Sequence, residues 1–351
     1  MSEDSSLTPL SELGEFGLIE HIEKQFELKQ ASSLLGIGDD AALLDFNQKQ
    51  CLISTDTLVE GVHFDLSYVP LMHLGYKAAV VNISDIIAMG GKPTQLLMTL
   101  AVSNRFTLEA IDALLGGFQR ACEVYEVDLV GGDTTSSRSG LIISVTSVGE
   151  VYEGEHITRS GAKPNELLVT TGDLGGAFMG LQVLEREKAV FLENPNAQPE
   201  LKDYQYVVGR LLKPEARKDA LEALEEMNIR PTSMIDISDG LSSEAIHLAR
   251  KSGIGVRIYE EKIPIADETF KTCEEFRLNA PTIALNGGED YELLFTVPLE
   301  AHEAIERHPF FCIVGHMTEG EGQHEFMTND GQLLELKAQG WNALLNKEDV
   351  Q

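Results

Sequence analysis

Asn82-Ile83-Ser84-Asp85-Ile86-Ile87-Ala88-Met89-Gly90-Gly91 sets a single carboxylate, Asp85, inside an otherwise apolar and small-residue segment. Upstream, Tyr76-Lys77-Ala78-Ala79-Val80-Val81 reads as helix, and Gly90-Gly91 ends it. Burying an ionised Asp among Ile83, Ile86, Ile87 and Met89 is expensive without a partner. The nearest cations, Lys77 and Lys92, lie more than a helical turn away. Either Asp85 faces solvent from the helix, or a metal ion is its partner. The second half of the chain echoes the Ile-Ser-Asp triplet in Ile235-Asp236-Ile237-Ser238-Asp239-Gly240.

Working outward, other acids stand in similar places. Gly36-Ile37-Gly38-Asp39-Asp40-Ala41-Ala42 brackets two acids with glycines. Such neighbours repel by roughly 4 kcal/mol at 4 Å, and in a strand their side chains point to opposite faces. Cys51-Leu52-Ile53-Ser54-Thr55-Asp56-Thr57 reads as a buried strand ending in hydroxyls and an acid, with His63 shortly after it. Val127-Asp128-Leu129-Val130 reads as a short strand running into Gly131-Gly132-Asp133-Thr134-Thr135, so that Asp133 ends a strand as Asp56 does. Gly287-Gly288-Glu289-Asp290 precedes another strand. Asp40, Asp56, Asp85, Asp133, Asp236, Asp239 and Glu289 thus lie beside Gly, Ser or Thr, mostly where an apolar strand ends. Acids on solvated helix faces do not show that pattern. Hard oxygen ligands without His or Cys suit Mg²⁺ or Ca²⁺ rather than zinc.

Local patterns supply the remaining elements. Phe16 to Ile22 begins an amphipathic helix. Thr107 is placed to cap a helix with Leu108, Ile111, Leu115, Phe118 and Cys122 on one face. Leu141 to Val148 alternates as a strand. Gly172-Asp173-Leu174-Gly175-Gly176-Ala177 is a glycine turn into a helix, either a plain connection or a row of N–H groups for an anion. Residues 192–203 read as a surface loop, and Gly253 closes a helix that starts at Leu241. A composition shift near 150–165 is the best candidate boundary.

The totals restrict the function. The 351 residues suggest about two domains. Lys and Arg number 27 against 57 Asp and Glu, a formal net charge of −30. This argues against a nucleic-acid or anionic-membrane surface. A phosphorylated substrate would be repelled unless divalent cations bridged the two. Cys51, Cys122, Cys273 and Cys312 are far apart, which fits reduced thiols in a cytoplasmic protein rather than disulfides or zinc. No apolar run reaches 18 residues, so no membrane span is expected, and the acidic start reads as no signal peptide. There is no G-x-x-x-x-G-K-[ST], no protein-kinase glycine loop with its downstream set and no Gly-x-Ser-x-Gly.

Together, Gly36 to Ala42, Ser54-Thr55-Asp56-Thr57, Val81 to Asp85, Gly131 to Thr134, Thr158-Arg159-Ser160-Gly161-Ala162-Lys163-Pro164, Asp236 to Gly240 and Gly287 to Glu292 closely resemble the thiamine-monophosphate kinase family. That family belongs to the ATP-binding superfamily of aminoimidazole ribonucleotide synthetase. The resemblance spans roughly residues 11–341, with the motifs in the family's order. It implies an α+β, two-domain fold, with residues 1–157 as an ATP- and Mg²⁺-binding and dimerisation domain and 158–351 completing the active site. N-terminal strands of two chains would pair into a β-barrel of a homodimer. The implied reaction moves the γ-phosphoryl of ATP directly, in line, onto the phosphate of thiamine monophosphate, giving thiamine diphosphate. ATP is then co-substrate and several Mg²⁺ ions assist, with any monovalent cation left open.

Carried over residue by residue, Asp40, Ser54, Thr55, Asp56, Asp85, Asp133, Asp236 and Asp239 match metal-holding positions, with Asp56, Asp85, Asp133 and Asp236 central to catalysis. Gly132, Arg159 and Ser238 match ATP contacts. His63, Glu289 and Trp341 match the substrate side. Selenophosphate synthetase would call for a reactive Cys in an N-terminal glycine loop, whereas Cys51 stands in the strand described above. The hydrogenase-maturation relative would call for a C-terminal Cys where this chain has Glu348-Asp349-Val350-Gln351. Aminoimidazole ribonucleotide synthetase itself matches the motifs less well. A non-catalytic acidic metal-binding protein would leave Arg159 and the Gly287 to Asp290 turn unexplained.

Overall fold

The computed structural model describes residues 21–22, 24–35 and 43–338. The chain divides into two compact units, Met1–His156 and Ile157–Gln351. Of the amphipathic helix expected from Phe16, only His21 and Ile22 are described, and both are helical. The Gly36 to Ala42 stretch lies outside the described residues.

In the first unit a short pair, β1 (Ser33–Leu35) and β2 (Leu43–Leu44), precedes β3 (Gln50–Val59), α1 (Leu71–Ala88), β4 (Lys92–Val102), α2 (Leu108–Tyr125), β5 (Asp128–Ser136) and β6 (Ile142–Val151). The four longer strands form one sheet in the order β3-β6-β4-β5. The pairs β3/β6 and β4/β6 are antiparallel, and β4/β5 is parallel. Helix α1 connects β3 to β4 across the intervening β6, and α2 makes the crossover that the parallel neighbours β4 and β5 require. The apolar run of Leu74, Val80, Val81, Ile83, Ile86 and Ile87 makes α1 buried almost all round. Its partner α2 shows one apolar stripe, Ile111, Leu115, Phe118 and Cys122, and Thr107 caps it by accepting from the Ala110 N–H at 3.4 Å. The two helices touch backbone to backbone at two glycines. A Cβ on Gly75 would sit 1.9 Å from the Leu114 oxygen, and one on Gly117 would sit 1.7 Å from the Met72 oxygen.

Strand β3 corrects the sequence expectation. It is an edge strand and largely exposed, with Ile53 at 69 %. A run of Leu, Ile and Cys has the composition of a buried strand, but composition does not reveal that a strand has only one neighbour. Nor do Asp56 and Asp133 end their strands: each sits in the interior of a 9- or 10-residue strand. On one face of β3 and β6 the hydroxyls bond to one another and to the backbone. Thr146 donates to Thr55 (3.1 Å), Thr55 to the Val145 carbonyl (3.0 Å), Thr57 to Ser144 (2.9 Å) and Ser144 to the Asp56 carbonyl (3.3 Å).

The second unit holds β7 (Leu167–Thr171), α3 (Gly176–Glu193), α4 (Gln205–Leu212), α5 (Lys218–Glu226), β8 (Ser233–Asp236), α6 (Leu241–Ser252) and β9 (Gly255–Tyr259). Then come α7 (Asp267–Phe276), α8 (Ala280–Asn286), β10 (Leu293–Val297), α9 (His302–Arg307), β11 (Phe311–Thr318), β12 (His324–Met327) and β13 (Leu333–Glu335). Its sheet runs β13-β12-β9-β11-β7-β10-β8, antiparallel except for β12/β9. One apolar cluster joins Ile235, Leu241, Leu248, Val256, Leu294 and Val314. A smaller one joins Met179, Val183, Val207 and Cys273 beneath α3, α4 and α7. As expected, Gly253 ends α6 in the left-handed conformation. Helix α3 extends to Glu193, so the loop there starts later than residue 192. No described helix is long and apolar enough to cross a membrane.

Candidate active site

In the first unit the site grows from the meeting of β3 with the last turn of α1. Asn82, buried on α1, donates to the Ala78 carbonyl (3.0 Å) and accepts the Asp56 backbone N–H (2.8 Å). This clamps the strand to the helix at one residue. One helical turn on, Asp85 accepts the Ser54 hydroxyl. Ser54 and Asp56, two apart on β3, share the face that meets α1. The Asp56 carboxyl is pushed up to about 6, by burial first, then by the Asp85 charge and a hydrogen bond between the two carboxyls. Asp85 is therefore no solvent-facing helix residue: its neighbour is a second acid.

Other candidates of this unit stand apart. Thr55 turns its hydroxyl to the opposite face, into the ladder with Thr146. Asp133 is on β5, the far edge of the sheet from β3. Three strand spacings, roughly 14 Å, separate those edges. Gly132 packs so tightly on β4 that a Cβ there would meet the Met98 oxygen at 1.8 Å. His63 is exposed, and its Nδ1 accepts the Val59 N–H at 3.0 Å, which leaves the proton of the neutral ring on Nε2. Asp40 and Trp341 lie outside the described residues.

In the second unit β8 delivers Asp236 to a loop, Ile237 to Gly240, that leads into α6. The loop after α8 zips onto it. Glu289 N–H donates to the Ser238 carbonyl (2.7 Å), Tyr291 N–H to the Ile237 carbonyl (2.9 Å), and Ile237 N–H to the Glu292 carbonyl (2.7 Å). Ser238 and Glu289 are thereby adjacent. Burial raises the Asp239 carboxyl, and the neighbouring His247 partly offsets this. The His247 ring is itself lowered, by burial and then by Arg159. Asp236, Ser238, Asp239, Arg159 and Glu289 thus share one neighbourhood.

Two features escaped the sequence reading. Glu244, in the first turn of α6, is 2 % exposed and accepts the Asp239 N–H at 3.2 Å. Burial and then the Asp239 charge hold it well above the carboxylate range. The available signal was an acid five residues after Asp239, at a helix start. The other feature is Asp290. The Gly172 to Ala177 turn does offer N–H groups to an anion, but the anion is internal. Asp290 accepts from Gly175 (2.8 Å) and Ala177 (3.3 Å).

Among the described residues, no group of three or more His, Cys, Asp or Glu side chains could hold a metal ion by itself. The donor set nevertheless fits Mg²⁺. Asp56 and Asp85 are like charges in contact beside a hydroxyl, and Mg²⁺ takes one or two carboxylates with water and phosphate oxygens completing the octahedron.

Residues 38–151 match the model of the AIR synthase related protein N-terminal domain, and 163–327 the model of its C-terminal domain. Thiamine-monophosphate kinase of Aquifex aeolicus (strain VF5) is 37% identical over 334 residues, covering 95% of this chain and 98% of the relative. That of Bacillus subtilis (strain 168) is 34% identical over 336 residues, covering 94% and 99%. The solved structure of AaThiL complexed with AMPPCP and TMP superposes with a TM-score of 0.71 at 35% identity, covering 96% of this chain and 99% of that one. With both halves of the chain matched and its relatives covered end to end, this chain belongs to the thiamine-monophosphate kinase family of enzymes.

Proposed function

We propose that this enzyme transfers the γ-phosphoryl of ATP to the phosphate of thiamine monophosphate, yielding ADP and thiamine diphosphate. The transfer is direct and in line, with several Mg²⁺ ions bound. The observation that carries the metal-assisted reading is the Asp56–Asp85 contact, two carboxyls with Asp56 held up to about 6 in a protein of net charge −30. The relative bound to AMPPCP and TMP supports the choice of substrates.

The acceptor is a phosphate oxygen, ionised at neutral pH, so no strong general base is needed. The barrier lies in bringing two polyanions together, which positioning and charge compensation lower. Mg²⁺ bound by these acids would supply charge neutralisation for the phosphates. In this reading Ser54, Asp56 and Asp85 would hold one metal ion in the first unit, Thr55, Asp133 and Asp40 would serve other ions of the set, and Asp236 and Asp239 are the candidate ligands of the second unit. Gly132 admits the nucleotide close to the backbone, Arg159 compensates phosphate charge and Ser238 contacts ATP. His63, Glu289 and Trp341 take the thiamine monophosphate.

The residue 1–157 half is read as the nucleotide, metal and dimerisation half, and the rest as completing the active site. Two copies pair through first-unit strands into a barrel, a reading supported by the exposed edge β3. The four unpaired cysteines agree with a cytoplasmic setting.

Purified protein incubated with ATP, Mg²⁺ and thiamine monophosphate should form ADP and thiamine diphosphate in equal amounts. ADP that appears only with a different acceptor would overturn the substrate assignment.

A further inference from the structure

Behind the Glu289 loop lies a buried charge network that the reaction chemistry does not use. Asp290 is 1 % exposed and Glu292 2 %. Arg210, from α4, stands between them. Its Nη1 is 3.0 Å from Glu292 Oε1, and its Nη2 is 3.8 Å from Asp290 Oδ1. The same Nη2 donates to the Asp173 carbonyl (3.0 Å) and the Asp290 carbonyl (3.4 Å). Tyr206, one turn earlier, donates to the Asp173 carboxylate. Arg217 and Thr171 bind the other oxygen of Glu292. One guanidinium therefore braces two loops at once, the Gly172 to Gly175 turn and the Asp290 to Glu292 segment.

The braced segment is strained. Glu289 (φ 69°) and Tyr291 (φ 52°) both lie in the left-handed region, although neither is glycine. Such residues persist only where their surroundings over-determine them. Asp290, between them, is the anchor. Its carboxyl, pushed up to about 7 by burial and held down in part by Arg210 and two N–H groups, is fixed in place between the two left-handed residues.

We propose that Arg210 is a positioning residue that acts through Asp290 to aim Glu289 at the thiamine monophosphate. The proposal rests on the substrate-side reading of Glu289. It assigns a function to a helix, α4, that contributes none of the residues matched to the family's motifs.

The test compares Arg210→Lys, Glu289→Gln, their double variant and Arg217→Lys in the full chain, varying each substrate and recording thermal unfolding. Arg210→Lys keeps the charge but loses the fork that reaches both loops. It should raise KM for thiamine monophosphate about tenfold while KM for ATP changes less than about threefold, as expected for local misplacement. Glu289→Gln should also raise KM for thiamine monophosphate. The double variant should be no worse than the weaker-binding single one, because both changes act on one contact.

Arg217→Lys disturbs Glu292 without reaching Asp290. It should lower the unfolding midpoint and leave that KM unchanged, which a merely structural role for Arg210 would not distinguish. Should Arg210→Lys not fold, Asp290→Asn breaks the same link from its other end and should give the same selective rise.

Multiplying defects in the double variant, or an equal KM rise in Arg217→Lys, overturns the positioning proposal and leaves the reading of Glu289 intact. An unchanged KM in Glu289→Gln overturns that reading and the proposal with it.

Discussion

Asp56 and Asp85 approach each other because an edge strand and a buried helix are clamped at Asn82, one turn before Asp85. Their mutual repulsion is a cost to the metal-free fold that a cation bound there, as proposed, would turn into a gain. Asp85→Asn keeps an acceptor for Ser54 and removes one charge. In metal-free buffer this variant should be more stable than the parent, by about 1 kcal/mol after solvent screening. The order should reverse in saturating Mg²⁺, as followed by thermal shift. Asp56→Ala and Asp85→Ala should each abolish turnover while remaining folded. Near-normal activity of both at saturating Mg²⁺ would remove the pair from the metal site.

The sequence pointed to Asp56 and Asp85 through an acid beside Ser or Thr in an apolar run, a local signal, but not to their contact, which joins residues 29 positions apart. Glu244 and Arg210 were not legible. Glu244 looks like any acid in a first helical turn, and Arg210 meets its partner Asp290 across 80 residues.

Among the elements, α1 and α2 pack backbone to backbone across Gly75 and Gly117. A methyl group at Gly75 meets the Leu114 carbonyl, a backbone atom that cannot rotate away. Gly75→Ala should therefore cost about 1–3 kcal/mol, read as a lower urea midpoint. By contrast, Thr107→Ala removes only the cap of α2 and should cost about 1 kcal/mol. Helix periodicity and caps were readable in advance for α2 and for α6 with its closing Gly253. Strand position was not. Cys51 to Thr57 has the composition of a core strand but forms the sheet edge, because pairing partners are distant in sequence. For the same reason Asp133 proved to lie mid-strand, at the opposite edge from Asp56.

For the whole molecule, a formal net charge of −30 repels anionic substrates, and the proposed divalent cations would offset that repulsion. The motifs carried the family and the two-domain α+β class, since they fall in order along nearly the entire chain. The proposed pairing of two copies can be tested at the exposed edge of one sheet. If two copies join through β3, Ile53→Glu places a charge in that contact and should give a monomer by size-exclusion chromatography with light scattering. A dimer of unchanged stability would show that β3 is not the contact. The hydroxyl ladder of Thr55, Thr57, Ser144 and Thr146 bears on the same step. Each of these protons already has an acceptor within the sheet. That face gives up few hydrogen bonds to water when covered, and its main exposed apolar side chain is Ile53. If two copies pair there, burial of Ile53 rather than new hydrogen bonds from these hydroxyls would drive the pairing.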